Sequence, residues 1–316
     1  MFARYTLIRR SFSTAASKPT VGWLGLGNMG LPMADNMRKG GFEVKAFDLM
    51  PEARQKGSEV GLNVKETMAE TVADVDFVIT SLPMTKHVDE VLKSEGGIFA
   101  HAREGTWICD TSTISPIASQ EFAVEAKKHG MTFVDTPVSG GVPGAKAGSL
   151  TFMVGAPSKE CYEKVLPILD PMGANFFHCG DVGAGEIAKL TNNLILGITM
   201  VAASEGLAIG EKLGMDPKIL NDIIMVSSGN CFSLQKFNPR PGNVEGAPSN
   251  NNYQGGFGTS LIKKDMVLAL EAAHSANAST EMLEKALDYY VQVEKLGHGK
   301  KDFSYVFQHI MKNRKE

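Results

Sequence analysis

The glycines of Gly25-Leu26-Gly27-Asn28-Met29-Gly30 constrain this chain more than any other feature. The preceding Thr20-Val21-Gly22-Trp23-Leu24 reads as a buried strand, and Met29, Met33 and Met37 recur at helical spacing up to Gly40-Gly41. A GxGxxG turn between a strand and a helix fits a dinucleotide. The first glycine permits the tight turn, and the second lets a pyrophosphate approach the backbone. The third lets the helix pack closely on the strand, and helix-end N–H groups meet the phosphate charge. Phe42 to Asp48 alternates like a second strand. Asp48 stands about 20 residues beyond the turn, where a carboxylate binds both ribose hydroxyls of NAD. No arginine follows it directly, the nearest being Arg54, and this favours NAD over NADP.

Apolar strands follow at 76–80, 106–109 and 132–134, separated by helix-like stretches around 88–92 and 117–128. Such alternation implies an α/β Rossmann-like domain with a doubly wound parallel sheet. Residues 151–154 and 175–178 read as two late strands of the same sheet. After Gly185 the strand pattern stops. A long apolar helix covers 186 to about 213, and Asp216-Pro217 opens another as N-cap and first helical residue. A Pro/Gly/Asn-rich loop spans 230–258, and three helical stretches complete the chain. The 316 residues thus divide into an NAD-binding Rossmann-like domain, 20–185, and an all-α domain for substrate and oligomerisation, 186–316.

Residues 1–19 contain Arg4, Arg9, Arg10 and Lys18 and no acid. With their Ser, Ala and Thr they have the composition of a mitochondrial transit peptide, which points to the matrix. Net charge is −3 with both signs interspersed, so nothing points to nucleic acid. No apolar run approaches the roughly 20 residues that span a bilayer, so no membrane is expected. Cys109, Cys161, Cys179 and Cys231 are scattered, and no His/Cys/Asp/Glu set has metal-ligand spacing.

Three further stretches carry candidate chemistry. In Gly183-Ala-Gly-Glu-Ile-Ala-Lys189-Leu-Thr-Asn192-Asn193, both amides follow the lysine by about one helical turn and share its face. An ammonium beside amides can grip a hydroxyl and exchange its proton. A lysine suits acid/base work where burial brings its pKa towards neutrality. Ser139-Gly140-Gly141 after a strand removes side chains so that backbone N–H groups can face a carboxylate. Lys264-Asp265, taken alone, reads as a solvated helix face.

These stretches occur in the order found in the β-hydroxyacid dehydrogenase family, which the chain resembles over essentially everything after residue 20. It is most similar to members that oxidise 3-hydroxyisobutyrate with NAD in valine breakdown, on Ser227–Ser233, Asn238–Gly242, Asn251–Phe257 and Lys301–Ser304. The resemblance implies that Lys189 is catalytic and that Ser139, Gly140, Gly141 and Asn193 hold the substrate. It implies that Leu82, Pro83, His87, Thr113 and Lys264 join the glycine turn and Asp48 around the cofactor. His87 stands where asparagine is common, and Phe232 where tryptophan is. A homodimer or homotetramer is implied. Two rivals stay open: a semialdehyde reductase acting on glyoxylate, succinic or tartronate semialdehyde, and a non-catalytic dinucleotide-binding protein.

Overall fold

A computed structural model describes residues 18–312. Of the expected transit segment 1–19, residues 1–17 therefore lie outside the described residues. The chain forms two compact units, the first ending at Glu186 and the second starting at Ile187.

The first unit is built on one sheet. Its strands are β1 (Thr20–Leu24), β2 (Glu43–Phe47), β3 (Asn63–Val64), β4 (Phe77–Thr80), β5 (Trp107–Asp110), β6 (Thr132–Asp135), β7 (Val138–Ser139), β8 (Leu150–Gly155) and β9 (Gly173–Gly180). Their order is β3-β2-β1-β4-β5-β6-β8-β7, with β9 paired to β8. The six strands from β1 to β6 run parallel. This is the doubly wound sheet that the strand–helix alternation implies, and its chain order reverses between β1 and β4. Ligands of such sheets bind outside the carboxyl ends of the strands at that reversal. One difference concerns the late strands. β8 and β9 are parallel to each other, but β8 is antiparallel to β6 and β7. The return from β7 to β8 turns at Gly140, runs through the short helix Gly141–Ala147 and turns again at Gly148, both glycines having positive φ, and so reverses the strand without a full crossover.

Both faces of the sheet are covered, which is why its strands read as apolar runs rather than alternating ones. Val21, Trp23, Val44 and Ile79 face one core with Met33 and Met37, while Leu24, Val78 and Ile108 face another with Val88 and Phe122.

The second unit is mostly helical. Helix Ala184–Lys212 is followed by Pro217–Met225, Phe232–Phe237, Thr259–Ser275, Glu281–Val293 and Val306–Lys312. Asp216 caps the second of these, accepting from Lys218 N–H and Ile219 N–H at 2.8 and 3.0 Å. The long helix is apolar and extended enough to cross a bilayer by length and composition, which corrects the expectation that no run approaches that length. Its Leu190, Met200 and Val201 instead fill the core of this unit with Ile262, Met266 and Tyr290.

The 230–258 segment is more ordered than its Pro/Gly/Asn content suggests. Asn238 is buried and donates to Asn221 Oδ1 at 2.8 Å, while Tyr253 donates its hydroxyl to Pro239 O. Asp302 fastens the far end, its carboxylate accepting from Phe257 N–H at 2.7 Å and Ser304 N–H at 3.0 Å. Burial outweighs those bonds and pushes the Asp302 pKa up to about 6. The native carboxyl therefore keeps its proton where the unfolded one, near 3.8, has lost it. Its stabilising proton uptake is complete below about pH 4 and is lost as pH rises through about 6. Urea melts should show the stability of the native protein, relative to Asp302→Asn, declining from pH 4 to pH 7. A difference that rises over that range contradicts this assignment.

Candidate active site

Five connections bring the predicted residues of the first unit to the carboxyl end of its sheet. After β1, Gly25 turns with φ +101°. A Cβ there would collide with the Ser81 carbonyl and lie 3.2 Å from Leu82, and one on Gly30 would overlap the Gly25 carbonyl oxygen. These two glycines are thus required by the protein itself. Gly27 is different: its backbone has no positive φ, and a Cβ would meet nothing within 4 Å. Gly27 and Asn28 are exposed, with Leu26 buried and Met29 half-buried beside them. Helix Gly30–Lys39 begins here with no side-chain cap and no acid in its first turn. Open space over Gly27 and a helix start without an acid fit a pyrophosphate, although Leu31 N–H is already bonded to Gly27 O and Pro32 has no N–H to offer.

After β2, Asp48 is half-buried. Its carboxylate accepts from Leu26 N–H at 2.7 Å and from Met50 N–H at 2.8 Å, so it braces the glycine turn. Each oxygen keeps a second lone pair for a ribose hydroxyl. Arg54 departs from its sequence distance. One turn of helix folds its guanidinium back over the Phe47 ring, and it donates to Asp48 O at 2.7 Å and Leu49 O at 3.2 Å. A cation does stand at this strand end, although none is adjacent in sequence.

After β4 come half-buried Leu82 and exposed Pro83; Leu82 N–H donates to Ser112 Oγ at 2.9 Å. That bond links β4 to the β5 connection, where half-buried Thr113 lies. On helix Thr85–Lys93, His87 buries its Nδ1 with no hydrogen-bond partner among the described residues. After β6, Ser139 is half-buried and Gly140 and Gly141 are exposed. Their φ values of +138° and +61° account for both glycines by backbone conformation alone.

In the second unit, Lys189 and Asn193 are both buried, as residues one turn apart on a helix face should be. Asn192 is exposed instead and donates to Asn193 Oδ1 at 3.1 Å. Asn193 Nδ2 in turn donates to Asp265 Oδ2 at 2.6 Å, leaving one amide N–H for other use. Lys264 Nζ lies 3.1 Å from Asp265 Oδ1. Asp265 is 3% exposed, so the solvated-face reading of Lys264-Asp265 is overturned. This aspartate holds Asn193 and Lys264 from two helices, and sequence reasoning missed it. Its spacing to Lys264 carries no signal, because only helix packing reveals which face is inward.

Asp135 was also given no role by its sequence. It ends β6 fully buried, accepting from Gly183 N–H at 2.7 Å and Glu186 N–H at 2.9 Å. Among the described residues no group of three or more His, Cys, Asp or Glu is placed to hold a metal ion.

Known proteins resemble this chain in sequence and fold. Residues 20–180 match the family model for the NAD binding domain of 6-phosphogluconate dehydrogenase. Residues 183–310 match that for the NAD-binding of NADP-dependent 3-hydroxyisobutyrate dehydrogenase. The chain is 43% identical to a probable mitochondrial 3-hydroxyisobutyrate dehydrogenase of Dictyostelium discoideum, over 97% of this chain and 95% of that one. It is 42% identical to the human mitochondrial 3-hydroxyisobutyrate dehydrogenase, over 94% and 88%. The solved Mycobacterium tuberculosis 3-hydroxyisobutyrate dehydrogenase with L-serine superposes with a TM-score of 0.86 at 38% identity, covering 92% of this chain and 99% of that one.

The contrast among the glycines is testable. Gly27→Ala should leave thermal stability unchanged and weaken NAD binding roughly tenfold, about 1.4 kcal/mol. Gly30→Ala should lower stability as well. Isothermal titration with NAD and thermal melts separate the two. Unaltered affinity in folded Gly27→Ala would remove the pyrophosphate from this turn.

Proposed function

The chain belongs to the 3-hydroxyisobutyrate dehydrogenase family, and from that premise we propose that it oxidises 3-hydroxyisobutyrate to methylmalonate semialdehyde with NAD, as a step of valine breakdown. The enzyme is an NAD-dependent oxidoreductase. Bound NAD supplies the hydride acceptor. The glycine turn and Asp48 hold its pyrophosphate and ribose; Leu82, Pro83, His87, Thr113 and Lys264 complete its surroundings. Lys189 grips the primary hydroxyl and takes its proton. Asn193 orients the same hydroxyl with its remaining amide N–H, and the Ser139-Gly140-Gly141 backbone and hydroxyl receive the carboxylate. The observation that carries this reading is the buried Lys189/Asn193 pair, held by Asp265 through Asn193. Burying a lysine and an amide is costly, and a structural helix face has no need of them.

L-serine, present with the M. tuberculosis relative, is also a carboxylate-bearing primary alcohol and is a second candidate substrate. The semialdehyde-reductase rival is the same chemistry reversed. A non-catalytic dinucleotide binder is disfavoured by the retained Lys189.

Replacing Lys189 by Ala should lower kcat roughly 10²-fold or more, the scale of a lost general acid/base. The Kd for NAD should stay within about twofold of the native value, because the lysine serves the substrate. A variant that keeps near-native kcat would remove Lys189 from the mechanism.

Location and assembly extend the proposal. The mitochondrial designation of the Dictyostelium and human relatives supports residence in mitochondria. The acid-free basic run 1–19 supports import to the matrix, with that run as the transit peptide. Exposed Ile195 and Ile209 on the long helix, and Ile219 and Ile223 on the next, support a homodimer or homotetramer. Sedimentation equilibrium should read two or four copies, and a monomer at micromolar concentration overturns the assembly.

A further inference from the structure

We propose that Asp135 is a positioning residue for the reaction: its carboxylate fixes the first turn of the helix that presents Lys189. The inference rests on the catalytic reading of Lys189.

A helix leaves its first N–H groups without partners inside the helix. In Ala184–Lys212 two of these donors, the N–H groups of Gly183 and Glu186, are taken by the two oxygens of Asp135. The cap therefore comes not from the neighbouring sequence but from 48 and 51 residues upstream, at the end of β6. Each oxygen serves a different N–H, so the carboxylate sets both the height and the rotation of the turn. Lys189 follows Glu186 by three residues, less than one turn onward and roughly 4.5 Å along the axis. Rotation of the first turn passes directly to the direction of its side chain.

The surroundings are shaped to admit this carboxylate. A Cβ on Gly155 would overlap Asp135 Oδ1; one on Gly185 would overlap the Met153 carbonyl oxygen first and lie 2.7 Å from Asp135 Oδ2. Neither glycine has the positive φ that would otherwise explain it. Gly155 thus forgoes a side chain where the acid sits, and Gly185 lies against both the acid and the Met153 backbone. The same acid begins the connection Thr136-Pro137-Val138 to Ser139-Gly140-Gly141, so one residue anchors both the proposed carboxylate loop and the lysine helix. Keeping a charge here is costly. Burial, with Asp110 adding to it, pushes the Asp135 pKa up to about 7 despite its hydrogen bonds from Gly183 and Glu186. A neutral residue would fill the space at lower cost if packing were the only requirement.

A double-mutant cycle tests this, because two residues acting through one another are not additive. The near-isosteric Asp135→Asn loses one acceptor. It should lower kcat roughly tenfold in the native background and less than about twofold in the Lys189→Ala background. The Kd for NAD should not change in either. An equal loss in both backgrounds would show a general structural role and overturn the proposal, as would undiminished kcat. If Lys189→Ala itself keeps its kcat, the catalytic reading of Lys189 falls and this inference falls with it. A large loss in Lys189→Ala with none in Asp135→Asn overturns the inference alone. Asp135→Ser, which keeps one oxygen acceptor, serves if the Asn variant does not fold. Failure of both to fold would assign Asp135 to stability and likewise overturn the proposal.

Discussion

One close contact governs the carboxyl end of the sheet: Gly30 packs so tightly on the Gly25 carbonyl that any side chain would overlap it. That contact sets how helix Gly30–Lys39 leaves β1. It also leaves the backbone at Gly27 open while Gly25 presses on Ser81 and Leu82 of the neighbouring β4 connection. Asp48 then braces the turn through Leu26 N–H, and Ser112 braces Leu82. Four strands are thereby joined by short contacts at one end, and the candidate coenzyme residues of the first unit lie in the connections so joined.

Several buried polar groups lie at or beside the candidate site. Asp110, Asp135, Glu186, Lys189, Asn193 and Asp265 are all buried. Chemistry is proposed for Lys189 and Asn193, and the acids hold the surrounding backbone and side chains. Asp110 accepts from Thr80 Oγ1 at 2.7 Å, and Glu186 accepts from Ile114 N–H at 3.2 Å. Asp265 serves Lys264 and Asn193 together. Buried polar networks of this kind restrict side chains to one arrangement, which is what a proton transfer at a fixed alcohol requires.

The sheet, its parallel strands and the helical second half were legible because their signals are local. Glycine spacing, buried apolar runs and the Asp216-Pro217 helix start each act within a few residues. Three kinds of feature were not legible. The antiparallel entry of β8 depends on the short helical return Gly141–Ala147 between the turns at Gly140 and Gly148, and not on the apolar pattern of Leu150–Gly155. The Arg54 guanidinium reaches Asp48 through a helical turn, so distance along the chain concealed it. Asp135 and Asp265 are ordinary acids in sequence; their partners lie 48 and 72 residues away and are chosen by packing. Lys189 stood out as a candidate because Asn193 lies only one turn along the same helix.

The proposed substrate is a primary alcohol that the protein holds by a carboxylate. The most direct measurement compares kcat/KM for 3-hydroxyisobutyrate and for isobutanol, which lacks only the carboxylate, by NADH formation at saturating NAD. A preference for the acid of at least about 10³-fold is expected, the scale of a lost charged, hydrogen-bonded anchor at roughly 4 kcal/mol. Comparable oxidation of isobutanol would contradict it.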